Sequence, residues 1–146
     1  MGEPIIVRDM TVTDAAEVAR LLGQLGYPWP VSEVAARIKT FLASDERALV
    51  ASREGSASLL GVLTLHITPV LHRAGPVGRL TMLVVDESAR GEGIGRALVT
   101  AAEAYFGERG CALIEVTSNK RRADAHAFYE RLGYSATSER FAKPVS

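Results

Sequence analysis

The chain has 146 residues, 47% apolar and 23% charged, the size and make-up of one soluble globular domain. Seventeen Lys and Arg balance seventeen Asp and Glu, which excludes a global electrostatic pull toward DNA, RNA or an anionic membrane. No apolar run approaches the ~20 residues of a membrane helix, no charged-then-apolar leader opens the chain, and the lone Cys111 cannot form an internal disulfide, so the cytoplasm is the expected compartment.

Ile5 to Arg8 reads as a first short strand. Thr13 or Asp14 caps a helix to about Leu25, with Val18, Leu21, Leu22 and Leu25 at helical spacing. Pro28 and Pro30 in GYPWP break it. Ser32 is the expected cap of a second helix, whose buried face is Val34, Ile38, Phe41 and Leu42. Strands follow at Ala48 to Ser52, Leu59 to Thr68 and Arg79 to Val85, separated by turn-rich segments. A helix is predicted from about Gly95 to Arg109, burying Leu98, Ala101, Ala102 and Tyr105. Cys111, at the head of the next apolar run, reads as a small packing residue rather than a nucleophile. Ala112 to Thr117 is a fifth strand, and Ala123 to Leu132 a last helix ended by Gly133. The tail, Tyr134 to Val145, reads as one or two weak strands.

Three consecutive strands joined by short turns predict antiparallel pairing, and the later strand–helix–strand units predict parallel crossovers. The expected fold class is therefore α/β (α+β), a mixed sheet with helices on both faces. Repeats and long linkers are missing, so residues 1–146 are expected to form a single domain.

The stretch VVDESARGEGIGRALV places Gly91, Gly93 and Gly95 between a strand and a helix. Glycines there take positive φ and turn main-chain N–H groups inward. The first amides of a helix lack internal partners and carry partial positive charge, so the junction suits phosphate. Arg90 and Arg96 either add charge to that site or point to water. The spacing G-x-G-x-G is one residue short of the dinucleotide fingerprint, and the Lys and Ser/Thr of a nucleotide P-loop are missing.

ARGEGIGRAL is similar to motif A of the GNAT superfamily of acyl-CoA N-acyltransferases, Arg/Gln-x-x-Gly-x-Gly/Ala, and NKRRADAHAFYERLGY resembles the family's second signature. The order of strands and helices is similar to the family's as well. The resemblance implies a GNAT-like fold with a central mixed sheet of six to seven strands and about four helices. It implies an acetyl-CoA-dependent N-acetyltransferase, moving acetyl to a primary amine of a small molecule or peptide by direct transfer in a ternary complex. A silent acyl-CoA-binding module and an enzyme with a different acyl donor are the alternatives. No metal, nucleic acid or membrane partner is expected, and similar proteins often form homodimers.

By the same resemblance, Arg90, Gly91, Glu92, Gly93, Ile94, Gly95 and Arg96 hold the CoA pyrophosphate. The backbone of Leu83, Val84 and Val85 pairs with the pantetheine arm as an added strand, and one of its amides polarises the thioester carbonyl. Asn119 contacts the same arm, and Tyr129 matches the tyrosine that protonates the departing thiolate. For the base, His66 shares a strand face with Thr64 and Thr68, and Glu115 shares one with Leu113 and Thr117. His66 reads first as a solvated or core-satisfied histidine and otherwise as the base. Glu115 either holds an ordered water or the substrate amine, or makes a structural hydrogen bond. A water relay without any single base is the remaining route. His72 and His126 are discounted as bases, His126 because its helical face is expected to be exposed. Lys120 to Arg122 either reach a CoA phosphate or form a solvated charge run, and Tyr27 and Trp29 either line the acceptor site or plug the core.

Overall fold

The structure is a computed structural model that describes residues 3–117 and 123–145. The chain divides into two compact units, residues 1–115 and 116–146.

The first unit opens with β1, Ile5–Asp9. A 3-10 turn over Val12–Asp14 leads into α1, Ala15–Leu25, and α2 spans Val31–Leu42. The Asp14 carboxylate accepts the Thr11 amide at 2.8 Å and a fork from Arg8 at 2.8 and 2.9 Å, which fixes where the helix starts. Pro30, not Ser32, stands at the N-cap of α2: its extended backbone (φ −61°, ψ 151°) lets helix begin at Val31, so Ser32 lies within the first turn. Val34 and Ile38 are buried as expected, whereas Leu42, the last residue of the helix, is exposed.

Strands β2 (Arg47–Arg53), β3 (Leu59–Thr68) and β4 (Val77–Val85) form an antiparallel meander with β1. The fourth strand starts two residues before the expected Arg79 because Val77 and Gly78 pair with Thr68 and Ile67. After α3, Ile94–Glu108, the chain returns to the sheet as β5, Leu113–Val116, beside β4. The sheet order is β1-β2-β3-β4-β5, five strands among the described residues rather than six to seven. The tail 134–145 carries no strand among those residues.

Alternation along the strands sorts the two faces. Ala48, Val50, Val62 and Val84 pack with Val18, Leu21, Val34 and Ile38 of α1 and α2. On the opposite face, a Cβ on Gly61 would fall 2.8 Å from Leu98, and one on Gly78 would fall 2.5 Å from the Phe106 ring. These two glycines let α3 lie close against the strands. Phe106, fully buried, takes the place expected of Tyr105, which is half-buried with the Arg47 guanidinium 4.3 Å over its ring.

The second unit contains α4, Ala123–Arg131. The Gly133 amide donates to the Glu130 carbonyl at 3.0 Å and closes the helix. His126 is half-buried rather than exposed.

Candidate active site

The glycine stretch forms the turn into α3. Gly91 and Gly93 have φ of 83° and 85°, and the backbone has no positive φ at any other residue type among the described residues. A side chain at either position would carry the cost of left-handed backbone. Gly93 is the N-cap of α3, and its carbonyl accepts the Ala97 amide at 3.0 Å. The amides of Ile94, Gly95 and Arg96 precede the first intrahelical bond, so helix geometry leaves them aimed out of the N-terminus. Arg90 and Arg96 are exposed and make no ion pair among the described residues. Glu92 is instead engaged by Arg53 at the end of β2. Backbone donors at a helix start, with two exposed cations in the same stretch and its acidic residue paired, are an arrangement that suits an anion.

The loop is braced from beneath by a network that sequence reading missed. Asp86 is buried after β4 and accepts from Ser88 N (3.1 Å), Arg20 Nη1 (3.0 Å) and Gln24 Nε2 (3.3 Å). Burial pushes its carboxyl pKa up, but the Ser88 amide, Gln24 and Arg20 outweigh this and hold it below the ordinary value. Arg20 also bonds Glu17 and the Leu59 carbonyl, so α1 ties β3 to the strand–loop junction. The one available signal was Arg20 and Gln24 at i, i+4 spacing on the first helix.

Leu83, Val84 and Val85 lie at the end of β4 that leads into this loop, paired on one side with Leu63, Val62 and Gly61. On the other side β5 begins where Ala112 N donates to Pro76 O at 2.8 Å. With four residues against nine, β5 accompanies only the first half of β4. The Met82–Val85 edge has no strand beyond it among the described residues. Between the two halves β4 bulges: Thr64 faces Met82 and Leu65 faces Leu80, which leaves Thr81 extra. The Thr81 and Thr64 hydroxyls meet at 2.7 Å.

One pleat further on, the α1/α2 face becomes a polar row. His66 on β3 stands opposite Arg79 on β4. Arg79 Nη2 donates to Glu115 Oε2 on β5 at 2.9 Å. On the other flank His66 Nδ1 lies 3.4 Å from Glu46 Oε2. The row thus brings together His66 and Glu115, the two residues considered as bases, and adds Glu46 and Arg79, which the sequence did not single out. An open groove of about 620 Å³ along α2, lined by Ala36, Arg37, Thr40, Phe41, Ser44 and Glu46, reaches its outer end. Tyr27 and Trp29 are exposed and do not plug the core; Trp29 stacks under Arg37 at 4.3 Å.

The family model described as the acetyltransferase (GNAT) family matches residues 15–134. The chain belongs to the GNAT acetyltransferase family. This GNAT chain is 38% identical over 90 residues to aminoalkylphosphonate N-acetyltransferase of Salmonella typhimurium, covering 62% of this chain but only 58% of that enzyme. It is 28% identical over 135 residues to glucosamine 6-phosphate N-acetyltransferase of Trypanosoma brucei brucei, covering 89% and 88% of the two chains. The crystal structure of a Trypanosoma brucei acetyltransferase matches with a TM-score of 0.85 at 25% identity, over 97% of this chain and all of that one.

In the second unit of the GNAT chain, Tyr129 packs edge-on against Phe128 (5.1 Å between ring centroids) and tilted against Tyr134 (5.9 Å). Burial pushes its hydroxyl pKa above the ordinary phenol value. Cys111 is half-buried, and burial likewise raises its thiol pKa, which keeps it protonated and weakly nucleophilic. Asn119 and Lys120 to Arg122 lie outside the described residues.

Proposed function

We propose that the protein is an acetyl-CoA-dependent N-acetyltransferase that acetylates a primary amine by direct transfer in a ternary complex. The observation that carries this reading is the glycine turn at the start of α3, with Gly91 and Gly93 in left-handed backbone and three helix-start amides beyond them. Such a cradle suits a diphosphate. In this reading Arg90 to Arg96 hold the CoA pyrophosphate, and the Leu83–Val85 edge takes the pantetheine arm as an added strand. The thioester then ends near the bulge at Thr81, where a main-chain amide polarises its carbonyl. The family model spans residues on both units, which supports treating them as one domain.

The acceptor's ammonium must lose a proton, and His66 and Glu115 on the polar row are given that task, directly or through water. Tyr129 gives its hydroxyl proton to the departing thiolate, a role suited to a phenol that burial keeps protonated. The two named relatives acetylate an aminoalkylphosphonate and an amino sugar phosphate, which favours a small-molecule amine here. The lone cysteine supports a reducing, cytoplasmic setting.

Thermal unfolding with and without acetyl-CoA, followed by thiol release from acetyl-CoA across a panel of amines, tests the proposal. Glucosamine 6-phosphate and aminoethylphosphonate are the first probes. A ligand that binds the native state raises Tm, and a productive amine releases thiol. A Tm unmoved by millimolar acetyl-CoA would refute the reading; binding without release by any amine would favour a silent module.

A further inference from the structure

Among the described residues, two buried side-chain polar atoms lack a hydrogen bond, Glu46 Oε2 and His66 Nδ1. They face each other at 3.4 Å. Leaving buried polar atoms unsatisfied is costly, and such groups in a native protein call for an explanation. Register supplies the reason they meet. Ala48 pairs with Thr64 and Arg47 with Leu65, so the next residue outward, Glu46, comes opposite His66. The ring is about a quarter exposed (26%), and with Nδ1 buried against Glu46 that exposure falls on the Nε2 side. The pair therefore sits one pleat from the Thr64–Thr81 bulge; Glu46 lines the groove along α2, and His66 lines a second cleft with Asp45, Tyr105 and Arg109.

A carboxylate beside Nδ1 holds the imidazole in its Nδ1–H tautomer and leaves the Nε2 lone pair open, and it stabilises the imidazolium that forms next. Catalytic hydrogen bonds are commonly long before substrate arrives and tighten in the complex. We infer that Glu46 and His66 form a carboxylate–imidazole dyad, in which His66 Nε2 accepts the acceptor's proton and Glu46 is its positioning residue. The inference rests on the acyl-transfer reading above.

His66 Nε2 takes one proton from the acceptor ammonium, and the imidazolium charge is offset by Glu46. The freed amine pair forms the C–N bond to the thioester carbon. As the C–S bond breaks, the sulfur keeps that electron pair and receives the Tyr129 proton. The second proton on nitrogen is lost on collapse and refills Tyr129 through solvent. His66 returns its proton to water, so one proton is released overall. Among the described residues, the other titratable or charged groups around His66 are Asp45 ahead of β2, Arg79 on β4, Tyr105 of α3 and Arg109 at its C-cap.

The test combines spectroscopy with kinetics. Long-range 15N–1H spectra of the wild type at neutral pH should show His66 as the Nδ1–H tautomer, lost in Glu46→Gln. An Nε2–H tautomer in the wild type overturns the dyad, whatever the acceptor. With the fastest amine from the thiol-release panel, His66→Gln should lower kcat by about 100-fold and leave the KM for acetyl-CoA within about two-fold. Glu46→Gln should lower kcat by about ten-fold, because the ring loses the partner that fixes its tautomer. Glu46→Asp should restore most of that rate and the Nδ1–H tautomer. Wild-type kcat in His66→Gln or in Glu46→Gln overturns the inference. Failure of the wild type to bind acetyl-CoA overturns the acyl-transfer reading and the catalytic use of the dyad with it, whereas a wrong tautomer overturns the dyad alone.

Discussion

The Arg53 guanidinium at the end of β2 grips the Glu92 carboxylate in the middle of the glycine turn. A carboxylate beside a diphosphate site opposes binding, and Arg53 offsets it. Arg53→Ala should weaken CoA binding, Glu92→Gln should tighten it, and the double variant should resemble Glu92→Gln. Both side chains are partly exposed, so each change amounts to less than about 1 kcal/mol, up to about five-fold in Kd, and shrinks with salt. Calorimetric titration with CoA at low and high salt checks this; weaker binding by Glu92→Gln would contradict it.

Gly78 lies under Phe106, where an added Cβ would come within 2.5 Å of a fully buried ring. The ring cannot retreat, so Gly78→Ala should cost about 1–3 kcal/mol by overpacking. Gly107→Ala, one residue further along α3 with open space around its Cβ, should be neutral or stabilising by up to about 1 kcal/mol. Urea denaturation of both variants separates close packing from a general intolerance of the helix.

Tyr129→Phe keeps the ring contacts with Phe128 and Tyr134 and removes the hydroxyl that carries the proton. The expected result is a fall in kcat of about 10- to 100-fold, with the affinity for acetyl-CoA unchanged. Steady-state kinetics alongside direct acetyl-CoA titration would expose a merely structural tyrosine as one whose loss leaves kcat at the wild-type value.

The Arg8 hydrogen bond, aided by the Thr11 amide, holds the Asp14 carboxyl below the ordinary carboxylate pKa despite its burial. A depressed folded-state value stabilises the protein above the unfolded pKa of about 4, and that contribution is lost as pH falls through the folded value. Asp14→Asn should therefore be less stable by about 1–2 kcal/mol at neutral pH, and the gap should close in acid. Denaturation curves at neutral and acid pH measure it; a gap independent of pH would rule out the ion pair as its source.

Much of the architecture was legible from local chemistry. Val18, Leu21, Val34 and Ile38 are buried where helical spacing put them, and β3 has the expected bounds, Leu59–Thr68. The glycine turn was readable because left-handed backbone favours glycine at the residue itself. Ser32 misled because a proline two residues earlier offers an equally good entry to the helix. Phe106 was passed over for Tyr105 because both lie on one broad stripe, and only the bare backbone of Gly78 selects between them.

What the sequence determined by itself, then, is the run of helices and strands from β1 to α4 and the left-handed glycine turn before α3, though not the tail, since helical period, strand alternation and glycine's φ are properties of neighbouring residues. Tertiary structure alone decided that Glu46, His66, Arg79 and Glu115 share one row, that β4 bulges at Thr81, and that α1 reaches Asp86. Alternation tells which face a side chain takes on its own strand. Which residue stands opposite depends on the register between strands far apart in the chain, and that is settled only when the whole sheet packs against its helices.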